Sequence, residues 1–416
     1  MTLHTTHHLD TESDVIIIGG GPVGSYAALQ LAKAGVRTKV FEEHPQIGVP
    51  SHCAGHLSIR SLSSIGLYPL PDGIVENTFR TANFYSSNGT KFSIHLTRPV
   101  TCTLNRQRFD QYLAEKAEAA SAGFTLNTRV QSLVIYDGVI KGVKVQRIGE
   151  EQEQFGSKLV VDAEGVSSRL LKQAGLRALN PRGLRYAVEA EVENVRDIEL
   201  DAVEVYLGKA YAPGFYGWLI PKLDGTAKLG LATDKGNPHE CLQSLMTKHP
   251  VASQQLAEAK INTISYHAIS LGGPIERIYT NGFMAVGDCA SQVKPTTGGG
   301  VIFGLTCAKI AAETATQALK QGDVSSMALQ AYQNRCSDML SFDFAVMLRL
   351  RKFLDSLSDE KIDEMLRVCG KLGVDKALSD VDEIDFQGRM MLKTVMKPSM
   401  VAALTYFALL YLSANP

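Results

Sequence analysis

Residues 14–24 read DVIIIGGGPVG, and this stretch decides the fold. The run DVIII at 14–18 is continuously apolar, as expected of a parallel strand buried on both faces. Glycines follow at once, then SYAALQLAKAG to Gly35 reads as a helix and RTKVFE at 37–42 as the next strand. The result is a compact strand–helix–strand unit with Gly19, Gly21 and Gly24 in G-x-G-x-x-G spacing at its first turn. Gly19 permits the tight turn, Gly21 lets backbone approach a pyrophosphate, and Gly24 lets helix pack on strand. Val23 lies in the same turn and joins this binding set. The helix N-terminus then presents its partial positive charge to the phosphates. An acid ending the second strand should hold a ribose; Glu42 stands there, with Glu43 as the alternative.

Outward from this unit, a loop rich in Gly, Pro, Ser and His covers 44–58. A helix at 108–120, a strand at 125–130 and a hairpin turning at Asp137-Gly138 come next. The strand KLVV returns to the first unit and leads into an expected helix, SSRLLKQAG at 167–175. From 182 to 271 the texture changes to alternating runs such as YAVEAEVENV and AKLGLAT, which read as half-exposed antiparallel strands. FMAV at 283–286 is again a buried strand, followed by glycines and a helix at 301–320; beyond Gly322 the chain reads as helices. The expected organisation is a discontinuous nucleotide-binding domain, 13–181 and 272–322, with substrate-side segments inserted near 60–105. A sheet domain at 182–271 and a helical region at 323–416 complete it.

The composition of the 416 residues is that of an ordinary globular protein, 45% hydrophobic and 20% charged. Forty-two Lys+Arg against 43 Asp+Glu leave no global field for nucleic acid. Seven scattered cysteines show no CxxC or zinc spacing, which implies reduced thiols and no metal site. Cys307 and Cys336 could bridge only if their helices are adjacent. The polar start, with His4, His7 and His8, has no apolar core of a signal peptide and reads as a tail. No run reaches the roughly 18 apolar residues of a spanning helix. The apolar segment at 400–414 suits a buried final helix or one lying in a membrane interface. Arg349, Arg351 and Lys352 form a basic cluster open to two readings, a solvated helix face or a contact with lipid phosphates.

A second glycine corner decides which dinucleotide. Gly287-Asp288 follows the strand FMAV, and Pro295-Thr-Thr-Gly298-Gly299-Gly300 then opens a helix at Val301. Two helix N-termini far apart in sequence suit an extended flavin dinucleotide gripped at both ends. With these segments and LNRQRFDQYL, the chain resembles the FAD-containing geranylgeranyl reductase family, archaeal digeranylgeranylglycerophospholipid reductases included, within the p-hydroxybenzoate-hydroxylase-like flavoproteins. The resemblance implies an α/β fold (α+β overall) with a Rossmann-like FAD-binding domain, an antiparallel-sheet substrate domain and a helical C-terminal region. It places Asp288 on the ribityl and ribose region of FAD, and Pro295, Gly298, Gly299, Gly300 and Val301 by the ring and pyrophosphate. Arg106 would meet the flavin or its phosphates, and the Val130 backbone the adenine. Glu164 stands where the family has Asp and is not assigned as a ligand.

On the substrate side, Tyr216-Gly-Trp218-Leu-Ile-Pro221, with Gly230 after eight intervening residues, is similar to the family's aromatic-Trp-Pro…Gly-x-Gly motif. Ile220 and Ala232 depart from it. Tyr216 and Trp218 offer rigid apolar walls with polar handles; Pro221 fixes the strand end, and Gly230 permits close approach to a long isoprenoid chain. The loop Ser-His52-Cys53-Ala54-Gly55-His56 carries the cysteine that the family places by the flavin. Saturating an isolated alkene needs a hydride from the flavin and a proton on the other carbon. The Cys53 thiol or a bound water could supply that proton, with His52 and His56 as relays. The expected activity is reduction of geranylgeranyl chains, first on archaeal-type glycerol ether lipids and alternatively on menaquinone or chlorophyll precursors. A flavin monooxygenase or halogenase is the second enzyme reading, and a prenyl-lipid carrier without catalysis the third. A halogenase would want a lysine at the flavin end, which the sequence does not point to. No second G-x-G-x-x-G offers a nicotinamide site, so ferredoxin, deazaflavin or NAD(P)H remain open as external donor. The expected location is cytoplasmic, with peripheral membrane contact.

Overall fold

The computed structural model describes residues 13–414; His4, His7 and His8 fall outside the described residues. Strand Ser13–Ile18 forms the middle of the main sheet, with Ile16 and Ile17 wholly buried. It pairs in parallel with Thr38–Phe41 on one side and Glu153–Asp162 on the other. Phe283–Ala285 adds in parallel beyond Glu153–Asp162, and Gly123–Thr125 beyond Thr38–Phe41. Continuous apolar runs are what strands covered on both faces require. The hairpin Thr128–Tyr136 and Val139–Arg147 turns at Asp137 and Gly138, both at positive φ (48° and 73°), as the Asp-Gly pair demands.

The helix Pro22–Lys33 packs on Val301–Gln321, with Val23 set against two glycines. A Cβ at Gly304 would lie 2.5 Å from Val23 Cγ2, and one at Gly287 3.1 Å from Val23 Cγ1. Val23 thus occupies the volume that two glycines leave empty.

The second large sheet runs in the order Lys260–Ser270, Leu184–Glu193, Ala227–Thr233, Tyr216–Pro221, Ala202–Leu207, Thr81–Tyr85, Lys91–His95. Its last two strands come from far upstream; Thr81–Tyr85 pairs in parallel with Ala202–Leu207. Helix Pro238–Lys248 covers one face through Leu242 and Leu245 on Val188, Leu229 and Leu231. Over the strands carrying Phe84, Phe92 and Ile94, helices Asp359–Leu372 and Pro398–Ala414 build a separate core with Ile362, Leu366, Met400 and Ala403.

Three readings change. The helix expected at 167–175 is a short 3-10 turn, Gly165–Ser167, followed by isolated turns. Ser168 takes a left-handed conformation, and the Glu164 carboxylate accepts from Leu170 N–H at 2.8 Å, so the first turn is hooked backward instead of continuing. Helix Arg106–Ala119 begins two residues earlier than expected because Asn105 caps it, accepting from Arg108 N–H at 3.0 Å. The basic cluster is broken: Arg351 is buried, ion-paired to Asp355 at 2.6 Å and stacked over Phe215, while Arg349 and Lys352 stay exposed. All seven cysteines are free. Cys307 and Cys336 face each other across helices Val301–Gln321 and Ser326–Ser356 as thiols. Among the described residues no helix is long and apolar enough to cross a membrane, and no cluster could hold a metal ion.

The Val23 socket predicts a specific coupling. Gly304→Ala should destabilise the protein by about 1–3 kcal/mol, through overpacking. Combined with Val23→Ala, the loss should fall below the sum of the two single losses, measured by urea unfolding. Simple additivity would mean that the two residues do not share this space.

Candidate active site: two glycine corners opposite an aromatic sheet face

The first corner is shaped by its own backbone. A Cβ at Gly19 (φ 92°) would sit 2.5 Å from Ala163 O, and one at Gly24 would run into Gly19 O. Nothing lies within 4 Å of a Cβ at Gly21, whose backbone therefore borders open space. Glu42 ends its strand with both carboxylate oxygens engaged: Gly20 N–H donates to Oε2 at 2.7 Å and His44 N–H to Oε1 at 2.9 Å. Glu43 turns outward to Arg129 at 3.2 Å, which separates the two candidates. Gly19, Gly21, Glu42, Arg129, Val130 and Glu164 border one cleft of about 270 Å³. Glu164 itself is occupied by Leu170 N–H, Ser167 and Arg169.

The second corner mirrors the first. A Cβ at Gly300 would lie 2.6 Å from Asp288 Oδ1, so that carboxyl rests at the start of helix Val301–Gln321. Burial raises the Asp288 pKa, and the charge of Arg106 opposes the rise. Pro295 is buried, while Gly298, Gly299 and Val301 are half-buried. Lys294 packs its stem against Gly299 and pairs its ammonium with the buried Asp385. A lysine invisible to sequence reading thus does stand at this end, already neutralised by a carboxylate.

Helix caps test whether these corners suit FAD. Arg106–Ala119, Pro238–Lys248, Ser326–Ser356 and Asp359–Leu372 each take a side-chain cap. Pro22–Lys33 and Val301–Gln321 start on Gly21 and Gly300 with none. Unclaimed N–H groups at two helix starts, beside an open Gly21, suit an anionic dinucleotide spanning both.

Arg106 sits between the corners and the substrate side. Burial opposes its charge, but the Asp110 carboxylate (3.0 and 3.1 Å) and the Cys53 thiol outweigh that and keep it cationic. Cys53 Sγ accepts from Gly55 N–H at 3.5 Å. The neighbouring Ala54 carbonyl is pinned by Lys228 Nζ and Thr103 Oγ1, each at 3.0 Å. Lys228 also donates to Leu104 O and pairs with Glu76, both at 2.7 Å.

The sheet face opposite carries the aromatic motif. Tyr216 donates its hydroxyl to Thr297 O at 2.9 Å, tying this sheet to the second corner, and packs edge-on to Trp218. By register, Trp218, Gly230 and Glu189 form one row across three strands. A Cβ at Gly230 would meet Trp218 Cε2 at 2.6 Å, so the space left by the glycine is filled by the indole. The indole N–H thereby approaches Glu189, and neither Trp218 Nε1 nor Glu189 Oε2 closes a hydrogen bond of good geometry. Burial pushes the Glu189 carboxyl up to about 7, against the pull of Lys228 and Arg106. His267, opposite Ala187 on the same face, is pushed down to about 4 by burial and then by His52 and Arg106. Its ring stacks on His52 at 6.2 Å.

Two expected substrate contacts are engaged elsewhere. His56 bonds Thr101 Oγ1 at 2.7 Å and packs edge-on to Phe79; burial pushes it down to about 4. Pro221 ends its strand against the small sheet, its carbonyl accepting from Asn77 Nδ2 at 3.0 Å. Sequence reasoning missed Glu189, His267, Lys228 and Lys294. Alternation marks Glu189 as half-exposed, without saying which surface will cover that face.

Comparison with known proteins agrees with this geometry. The family described as "FAD binding domain" matches residues 12–341. A digeranylgeranylglycerophospholipid reductase of Methanocaldococcus jannaschii is 33% identical over 93% of this chain and 96% of its own. The solved structure of a geranylgeranyl bacteriochlorophyll reductase-like protein from Thermoplasma acidophilum superposes with TM-score 0.84 at 25% identity, covering 95% and 99% of the two chains. A flavin-dependent brominase shares the fold alone, with TM-score 0.66 and 20% identity over 85% of this chain and 92% of its own. On the match to the FAD-binding domain and on near full-length identity, this chain belongs to the FAD-binding digeranylgeranylglycerophospholipid reductase family.

Proposed function

We propose that this protein is an FAD-dependent reductase that saturates C=C bonds of geranylgeranyl chains carried on archaeal-type glycerol ether phospholipids. The observation that carries this reading is the face of the second sheet: Trp218, Tyr216, Ile220 and Ala232 form an apolar wall fixed to the flavin corner through the Tyr216–Thr297 bond. Such a wall suits a hydrocarbon chain.

With FAD bound, the N-termini at Gly21 and Gly300 would hold it, with Glu42 and Asp288 taking hydroxyls. Bound FAD supplies the hydride. Trp218 and its neighbours exclude water and align the chain. Arg106 supplies a fixed positive charge between the corners and the wall, and Cys53 stands against it at the substrate side. The site contains two groups with a proton to give, the Cys53 thiol and the Glu189 carboxyl.

An external donor of electrons docks transiently, as a ferredoxin, a deazaflavin or NAD(P)H. The protein works from the cytoplasm as a peripheral membrane protein. Leu392 and Met396, and on the last helix Val401 and Leu409, expose 49–83% of their surface. Apolar side chains presented outward along a short terminal segment suit shallow insertion at a lipid surface.

Three outcomes are expected. Under anaerobic conditions the dithionite-reduced, FAD-loaded protein should be reoxidised by a geranylgeranyl glycerol ether phospholipid, and the lipid should gain two hydrogens per bond by mass spectrometry. Flavin that stays reduced sinks the reading. Cys53→Ala should slow that reoxidation while leaving FAD bound; an unchanged rate removes the thiol from the chemistry. In flotation, the protein should rise with anionic lipid vesicles, and replacing Leu392, Met396, Val401 and Leu409 by Glu should leave it at the bottom.

A further inference from the structure

We infer that Glu189 is the general acid of the reaction, held toward the reacting chain by the Trp218–Gly230 pair. This role rests on the reductase reading. Three geometric facts support it. Glu189 lies in one row with Trp218 and Gly230, on the apolar face that looks toward the flavin corners. Gly230 stands between Trp218 and Glu189 in that row, and the indole fills the space where its side chain would be. Oxygen Oε2 is buried and has no partner, so it is free to carry a proton.

The charged groups around it decide its state. Lys228 and Arg106 favour the carboxylate, the Trp218 N–H leans the same way, Glu191 opposes, and burial outweighs them. Lys228 spends its charge on Glu76 and on two carbonyls, and Arg106 on Asp110, which limits what either gives Glu189. Other groups are poorer acids. His267 and His56, each pushed down to about 4, carry no spare proton at neutral pH. Asp110 is tied to Arg106 through both oxygens. The Asp288 carboxyl, whose pKa burial also raises, rests at the start of helix Val301–Gln321 in the second corner and not in the Trp218–Gly230–Glu189 row.

The step balances as follows. One alkene carbon receives a hydride and its electron pair from the reduced flavin, which is thereby oxidised. The π bond breaks, the other carbon takes the proton from Glu189, and two C–H bonds form. The O–H bond of Glu189 breaks and leaves its electron pair on the carboxylate, which water reprotonates before the next bond. The acid form is the active one, so the rate should fall as pH rises through about 7.

The test has two readouts. First, infrared titration of the protein without lipid should show a carboxyl group losing its proton near neutral pH, absent in Glu189→Gln. Second, the rate of lipid-driven flavin reoxidation should show a break at that pH. Glu189→Gln should lower this rate by about 100-fold and flatten the profile, with FAD absorbance unchanged. Glu189→Asp should recover part of the rate, and Cys53→Ala should keep the break. A Glu189→Gln variant that keeps the break, or a wild-type carboxyl that titrates only in the ordinary range, overturns the role while the reductase reading stands. Wild-type flavin that lipid never reoxidises, with the neutral titration still present, overturns both.

Discussion

The structure depends on how closely two helix starts can approach each other. Val23 fills a socket bounded by Gly287 and Gly304, and no side chain can be added at either glycine without displacing it. Val23 lies in the first turn of the helix that starts on Gly21, and Gly304 in the first turn of the one that starts on Gly300. Both termini lack a side-chain cap, unlike those of Arg106–Ala119 and Asp359–Leu372. The packing contact and the missing caps serve the same end: a fixed span with a patch of unclaimed N–H groups at each side. Two such patches suit an extended dinucleotide.

Charge is the second constraint, and Arg106 is its centre. This guanidinium is buried, neutralised by Asp110, and still within reach of Cys53, Asp288, Glu189, His52 and His267. Burial first, then a neighbouring histidine and this fixed cation, keep the imidazoles neutral, while the cation draws carboxyls toward ionisation. At Glu189 burial wins over that pull, which leaves a carboxyl poised near neutrality. Perturbation of this kind, in a cleft and by identifiable neighbours, is a recurrent mark of acid–base chemistry.

Much of this was legible before any coordinates. Continuous apolar runs and glycine spacing located both corners, and of the two candidate acids Glu42 turns inward onto Gly20 N–H while Glu43 turns outward to Arg129. The aromatic motif marked two residues that the structure brings into contact, Tyr216 and Trp218, with Tyr216 bonded to Thr297 at the second corner. What escaped depends on tertiary placement. The helix expected at 167–175 failed because Ser168 and the Glu164 hook override propensity. Arg351 seemed part of a basic surface until Asp355 and Phe215 turned it inward. Glu189 is half-buried, as alternation suggests, but alternation describes a face without naming its cover. The upstream strands Thr81–Tyr85 and Lys91–His95 joined the second sheet through a parallel pairing that local patterns cannot foresee.

The strand order of the main sheet has a consequence for biosynthesis. Phe283–Ala285 completes the central parallel strands, yet it emerges some 120 residues after its neighbour Glu153–Asp162. Everything between must already have left the ribosome. The nucleotide-binding half therefore cannot close as an early folding unit, and the two sheets must mature together. Long-range closure of this sort slows folding and prolongs exposure of unpaired edges. The two helix N-termini are thus both available to a dinucleotide only after the nascent chain has supplied its second glycine turn.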